Sequence, residues 1–136
     1  MLCTVLHLSA YYAIMFIGDI MTKSEVIAYA LTLSGASSDT PFEGDGETVV
    51  LRHSDSGKWF GIIMQLKDKT IINLKCEPMN ADFLRSVYSG VTAAYHMNKT
   101  HWNSVYLGSD VPDEEIKRMI DDSFYLTAKK GRKRHG

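Results

Sequence analysis

Cysteine and proline are scarce in this sequence, with two Cys and three Pro among 136 residues. Cys3 and Cys76 are too few for a disulfide framework and fit no CxxC zinc pattern, so a reducing, cytoplasmic setting is the default expectation. No P-loop, GxGxxG turn or HExxH pair is present. There is no internal repeat, and the 45% hydrophobic and 23% charged composition is that of a single ordered domain with one modest core.

Charge is absent from the first eighteen residues, which are rich in Leu, Ile, Tyr and Met. A signal peptide would need a positive n-region, and a membrane anchor would need a longer run than one diluted by Thr4, His7 and Ser9. Residues 1–20 therefore read as an N-terminal extension with three open explanations: a start upstream of the true one at Met21, an extra helix, or membrane targeting. The opposite end is basic: Lys129, Lys130, Arg132, Lys133 and Arg134 lie within the last eight positions. Taking those five charges from the net of −1 leaves residues 1–128 at −6, which is not the balance of a protein that coats phosphate backbones indiscriminately. Between Lys58 and Trp102, however, six cations face three anions, so a local basic surface on an acidic body is allowed.

Thr22 and Glu25 form an S/T-x-x-E capping pattern before an apolar stripe, which predicts a helix over 23–33. Strands are expected near 47–53, 58–66 and 69–76, joined by short polar connections as an antiparallel meander. Pro78 opens a second helix with Phe83, Leu84, Val87 and Tyr88 as its buried side and Gly90 at its C′ position. Further strands follow at 92–98 and 102–107, and then a helix over 112–129 with Ile116, Met119, Ile120, Phe124 and Ala128 at helical spacing. The order α-β-β-β-α-β-β-α implies an α+β domain over 21–129: about five antiparallel strands with helices on one face and the other open to water or a partner. Residues 130–136 read as a basic, disordered tail.

Alternation within each strand sorts its side chains. Phe60, Ile62, Met64 and Leu66 point inward, as do Ile72, Leu74, Cys76, Ala93, Tyr95, Met97, Val105 and Leu107. The open face then carries Trp59, Asn73, Lys75, His96, Asn98, Trp102 and Tyr106. Aromatic planes among amides and cations suit stacking, base-edge hydrogen bonds and phosphate neutralisation, and they equally suit a protein partner. The plainer alternative is cross-strand packing for the aromatics and solvated turns for Lys99, His96 and His101. Catalysis is not expected: the two histidines are five apart across a turn with no third ligand near them in sequence, and no cofactor or metal site is indicated. The acidic residues Asp113, Glu114 and Glu115 are accounted for by the dipole of the last helix.

Several of these segments together resemble the MmcQ/YjbR family: Asn73-Leu-Lys-Cys-Glu-Pro78, Tyr95-His-Met-Asn-Lys-Thr-His-Trp-Asn103, Asp122-Ser-Phe-Tyr-Leu126 and the Pro41-Phe42 pair. The resemblance runs from about Met21 to Lys130. It implies a compact fold similar to CyaY and frataxin, and DNA binding through a "double wing" of hairpins. The residues it carries over are Lys75, His96, Asn98, Lys99, His101 and Trp102, with Ser123 and Tyr125 supporting the fold. Thr92-Ala-Ala94 departs from the proline-containing turn typical of the family. The expected function is a non-catalytic nucleic-acid-binding module with DNA as the expected ligand; the alternative is a protein-interaction module using the same face.

Overall fold

Thr22 caps its helix as the sequence requires: the Glu25 amide donates to Thr22 Oγ1 at 3.2 Å, and the Thr22 amide donates to Glu25 Oε1 at 3.3 Å. The computed structural model describes residues 21–129; both the N-terminal extension and the basic tail lie outside the described residues. In chain order the elements are α1 (Lys23–Ala30), β1 (Ala36–Asp39), β2 (Val49–His53), β3 (Trp59–Leu66), β4 (Lys69–Lys75), α2 (Pro78–Val87), β5 (Val91–Ala93), β6 (Trp102–Tyr106) and α3 (Asp113–Leu126). The six strands form one antiparallel sheet in the order β1-β2-β3-β4-β6-β5. The α+β architecture is the expected one, with β1 added as an edge strand between the first helix and the strand expected near 47–53, where no element was expected.

The core lies between the sheet and α3. Ile116, Ile120 and Phe124 on α3 pack with Leu51, Phe60, Ile63, Ile72, Leu74 and Val105 from the sheet. Each such side chain contributes about 2 kcal/mol on leaving water. Tyr29 of α1 donates to Asp121 Oδ1 of α3 at 2.8 Å. Burial, that hydrogen bond and nearby carboxylates push its phenol up to about 12. The core also holds His53, which sequence reading passed over. Its ring stacks on Phe124 at 4.4 Å, and Nε2 donates to Thr127 Oγ1 at 2.8 Å, because that hydroxyl spends its own proton on the Ser123 carbonyl.

Alternation fails in β3. The pairing passes from Leu51↔Gly61 to Arg52↔Trp59, so Phe60 is an extra residue. A bulge of this kind turns two successive residues, Phe60 and Gly61, to the helix side and reverses the rest of the strand. Ile63, expected outside, is in the core, while Ile62, Met64 and Leu66 face away from the helices. Gly61 has to be small here, since a Cβ would stand 2.9 Å from Leu51 Cδ1.

On α2 the buried positions are Ala81 and Leu84, with Tyr88 packed behind them. Phe83 and Val87, expected to be buried, are 60% and 48% exposed: α2 packs through a stripe only one residue wide, Ala81 and Leu84. Gly90 serves close approach rather than a left-handed cap. A Cβ there would lie 1.9 Å from Ser109 Oγ and 2.5 Å from Ser109 Cβ. Gly90→Ala is therefore expected to lower stability by about 2 kcal/mol, read as a fall in the urea midpoint at unchanged slope.

Two loop carboxylates hold the chain by accepting amide hydrogen bonds. Asp110 accepts from the Ser89 and Gly90 amides, both at 2.8 Å, and Asp45 accepts from Thr48 Oγ1 at 2.7 Å and from the Glu47 and Thr48 amides. These bonds hold Asp110 and Asp45 below the ordinary carboxylate range, led by the two backbone amides for Asp110 and by the Thr48 side chain for Asp45. Because the folded values are depressed, the stabilisation is complete above the unfolded pKa and is lost as pH falls through the folded one. Melting temperature should decline from about pH 5 downward, and the Asp45→Asn/Asp110→Asn pair should flatten that decline.

Candidate nucleic-acid interface

The antiparallel order brings six strand ends together: the ends of β2, β4 and β5 and the starts of β1, β3 and β6. Two turns project from that end. One is the β2–β3 turn, residues 54–58; the other is the β5–β6 loop, residues 94–101. With β4 between the two hairpins, their midlines are three strand spacings apart, about 14 Å. The end of β4 lies between them, where Lys75 pairs with Trp102.

The β5–β6 loop differs from the sequence expectation. The strand predicted over 92–98 ends at Ala93, and residues 94–101 form a compact turn. Alternation therefore does not apply to Tyr95, which is exposed rather than core, nor to Met97, which is half-buried. His96 adopts φ 62°, a left-handed conformation uncommon outside glycine. Asn98 shapes the loop: its Oδ1 accepts from the Thr100 amide at 2.9 Å and the His101 amide at 3.3 Å. Its backbone carbonyl accepts from the Trp102 amide at 2.9 Å. Lys99 Nζ donates to the Ala94 carbonyl at 3.0 Å across the loop's base.

Asn73 ties this loop to the sheet. Expected on an open face, it is fully buried, because the loop folds back over β4 and β6. Asn73 Nδ2 donates to the Tyr95 carbonyl at 3.0 Å, and Ser104 Oγ donates to Asn73 Oδ1 while accepting from the Tyr95 amide at 3.0 Å. Val50, Ile62 and Ile71, on the same side as Asn73, are buried as well. The middle of this face is thus closed, and the exposed groups gather at its end.

Of the predicted residues, His96, Asn98, Lys99 and His101 are exposed on the loop, and Lys75 and Trp102 are half-buried beside it. These six come together. Trp59 joins them from the neighbouring strand, half-buried, with Phe42 edge-on at 6.1 Å and the Arg52 guanidinium 5.3 Å from its ring centre. Tyr106 does not join: it sits four residues along β6, about 13 Å from Trp102. Sequence reading missed Arg85 and Thr100, which line a cleft of about 320 Å³ with Lys99, Asp82 and Pro78. An Arg at i+7 from Pro78 carries no sequence signal for that role, since only folding sets it beside the loop.

Ser123 supports the arrangement, as the resemblance implied. Its buried hydroxyl accepts from the Lys75 amide at 2.9 Å and donates to the Phe60 carbonyl at 2.5 Å, fixing the end of β4 against α3. Tyr125 instead stands at the surface, 38% exposed. Among the described residues, no group of three or more His, Cys, Asp or Glu is placed to hold a metal ion, and no helix is long and apolar enough to cross a membrane.

The YjbR family model matches residues 31–126, a span that includes both hairpins and all of these side chains. The chain is 35% identical to YyaQ of Bacillus subtilis over 117 residues, covering 79% of this chain and 98% of that protein. It is 30% identical to YjbR of Escherichia coli over 104 residues, covering 76% and 85%. A crystal structure of a Pseudomonas syringae protein superposes with a TM-score of 0.72 at 35% identity, over 79% of this chain and all of that one, 100%. A Deinococcus radiodurans protein with a DUF419 domain gives a TM-score of 0.73 at 25% identity, over 85% and 84%.

Proposed function

The chain belongs to the YjbR family, and on that premise we propose that it is a non-catalytic nucleic-acid-binding module that engages duplex DNA through two hairpin wings. One observation carries this reading. The β2–β3 and β5–β6 turns leave the same end of the sheet about 14 Å apart, with Lys75 and Trp102 between them. That spacing is close to the ~12 Å width of a major groove. Lys58 on one wing, Lys99 on the other and Lys75 between them supply a small set of phosphate contacts, while Trp59 and Trp102 offer aromatic faces.

Three cations make binding modest and strongly salt-dependent. Each neutralised phosphate steepens the plot of log K against log salt by about 0.9, so the wings should give a slope near −2.7. A fluorescence-anisotropy titration of a labelled duplex across salt tests this. The full chain and a chain ending at residue 128 are compared, because the five basic residues from Lys129 to Arg134 offer a second set of cations to phosphate. A slope that survives the truncation supports the wings; one that vanishes with the tail refutes them. No salt-dependent binding to the duplex would leave the alternative, a protein partner for the same surface, whose binding would survive loss of the lysines but not Trp102→Ala.

A further inference from the structure

A second surface lies on the helix side, between the start of α2 and the last turn of α3. Cys76, Glu77, Asn80, Asp122, Tyr125 and Leu126 line a cleft of about 400 Å³ there. Two of the six are carboxylates and none is a cation. The thiol of Cys76 senses this: burial raises its pKa most, and the charges of Asp122 and Glu77 raise it further.

The rim is apolar on both sides. Tyr125 and Leu126 are each 38% exposed on α3, and Met79, at 88%, precedes Phe83 and Val87 as an exposed stripe on α2. At about 3.6 residues per turn, Asn80 falls between that stripe and the buried Ala81 and Leu84, so the stripe borders the cleft. Arg85 and Asp82 occupy the far side of the helix, towards Lys99. Large apolar side chains in a row at i, i+4 and i+8, flanking a concave acidic floor, have the form of a groove that receives a peptide.

We propose that this groove docks a segment of a protein partner carrying one arginine or lysine flanked by apolar residues, the cation entering between Glu77 and Asp122 and the apolar residues packing on Met79, Phe83 and Tyr125. Charge complementarity selects the basic residue, and the length of the exposed stripe selects a peptide over a small cation. The groove shares none of its six lining side chains with the wings, although the Cys76 amide donates to the His101 carbonyl at 2.7 Å, so it adds a partner to the proposed DNA-binding module.

Random peptides displayed on phage and selected on the full chain, then measured by anisotropy, test the idea. Enriched peptides should share one basic residue among apolar residues three or four apart. Their affinity should fall about tenfold in Met79→Ser/Phe83→Ser, whose exposed positions leave the fold unchanged by circular dichroism, and about tenfold in Glu77→Gln/Asp122→Asn. Enriched peptides without a basic residue, no enrichment, or unchanged affinity in both variants would overturn the proposal. So would arginine amide competing as tightly as the peptide, or binding that emerges only when residues 130–136 are removed, which would give the groove to the chain's own tail. The Met79→Ser/Phe83→Ser chain should bind DNA as the wild type does, so failure here is distinguishable from failure of the DNA reading.

Discussion

Replacing Asn73 with alanine should cost about 3 kcal/mol of stability and at the same time release the β5–β6 wing. The side chain is buried and satisfies two groups at once, the Tyr95 carbonyl and the Ser104 hydroxyl. Truncation leaves both without that partner in a closed site, at about 1–3 kcal/mol for an unsatisfied group, and adds a small cavity. Equilibrium denaturation measures the first effect. The second is read by hydrogen exchange: amides of residues 95–101 should exchange faster in the variant under conditions where those of β3 remain protected. Equal acceleration across the sheet would mean that Asn73 stabilises the fold without specifically holding the wing.

Lys75→Ala/Lys99→Ala should bind duplex DNA about sixtyfold more weakly than the wild type at about 0.1 M salt. The figure follows from two lost phosphate contacts, which together reduce the salt slope by about 1.8, with the two curves converging near 1 M. Lys75 is the cleaner of the pair, because Lys99 Nζ also donates to the Ala94 carbonyl and its loss loosens the loop base. Lys99→Arg separates the two roles, since it retains a cation of similar reach. Parallel salt curves for the double variant and the wild type, offset but of equal slope, would show that the lysines act on loop structure and not on phosphate.

Much of this architecture was legible in the sequence, and the misreadings share a cause. The capping box at Thr22, proline at the start of α2 and helical spacing along α3 are local signals, and each gave its element. Period-2 alternation was reliable in β4 and β6, where Leu74 and Val105 face the core as expected. It failed in β3 because one bulged residue, Phe60, reversed everything after it, and no residue type announces a bulge. It failed again beyond Ala93 because Asn98 caps a turn with its own side chain, an interaction that competes with strand pairing. Asn73 was placed on the open face by alternation, and it does point to that side, yet it is buried there by a loop from another part of the chain. Contacts of this kind, between positions far apart in sequence, relocate the candidate site from the middle of an open face to the end of the sheet. The six residues named from the sequence are together there, although Asn98 is largely occupied in shaping the loop.

The central claim is that two hairpin tips from one end of the sheet meet DNA together. Amide chemical-shift mapping of the chain ending at residue 128, titrated with a short duplex at low salt, tests it most directly. The shifts should concentrate in residues 54–58 and 94–102 and at Lys75, and leave α1 and the β3–β4 turn at Lys67 and Asp68 unmoved. Shifts confined to one wing, or spread over α2 and α3 with both turns silent, would contradict the account.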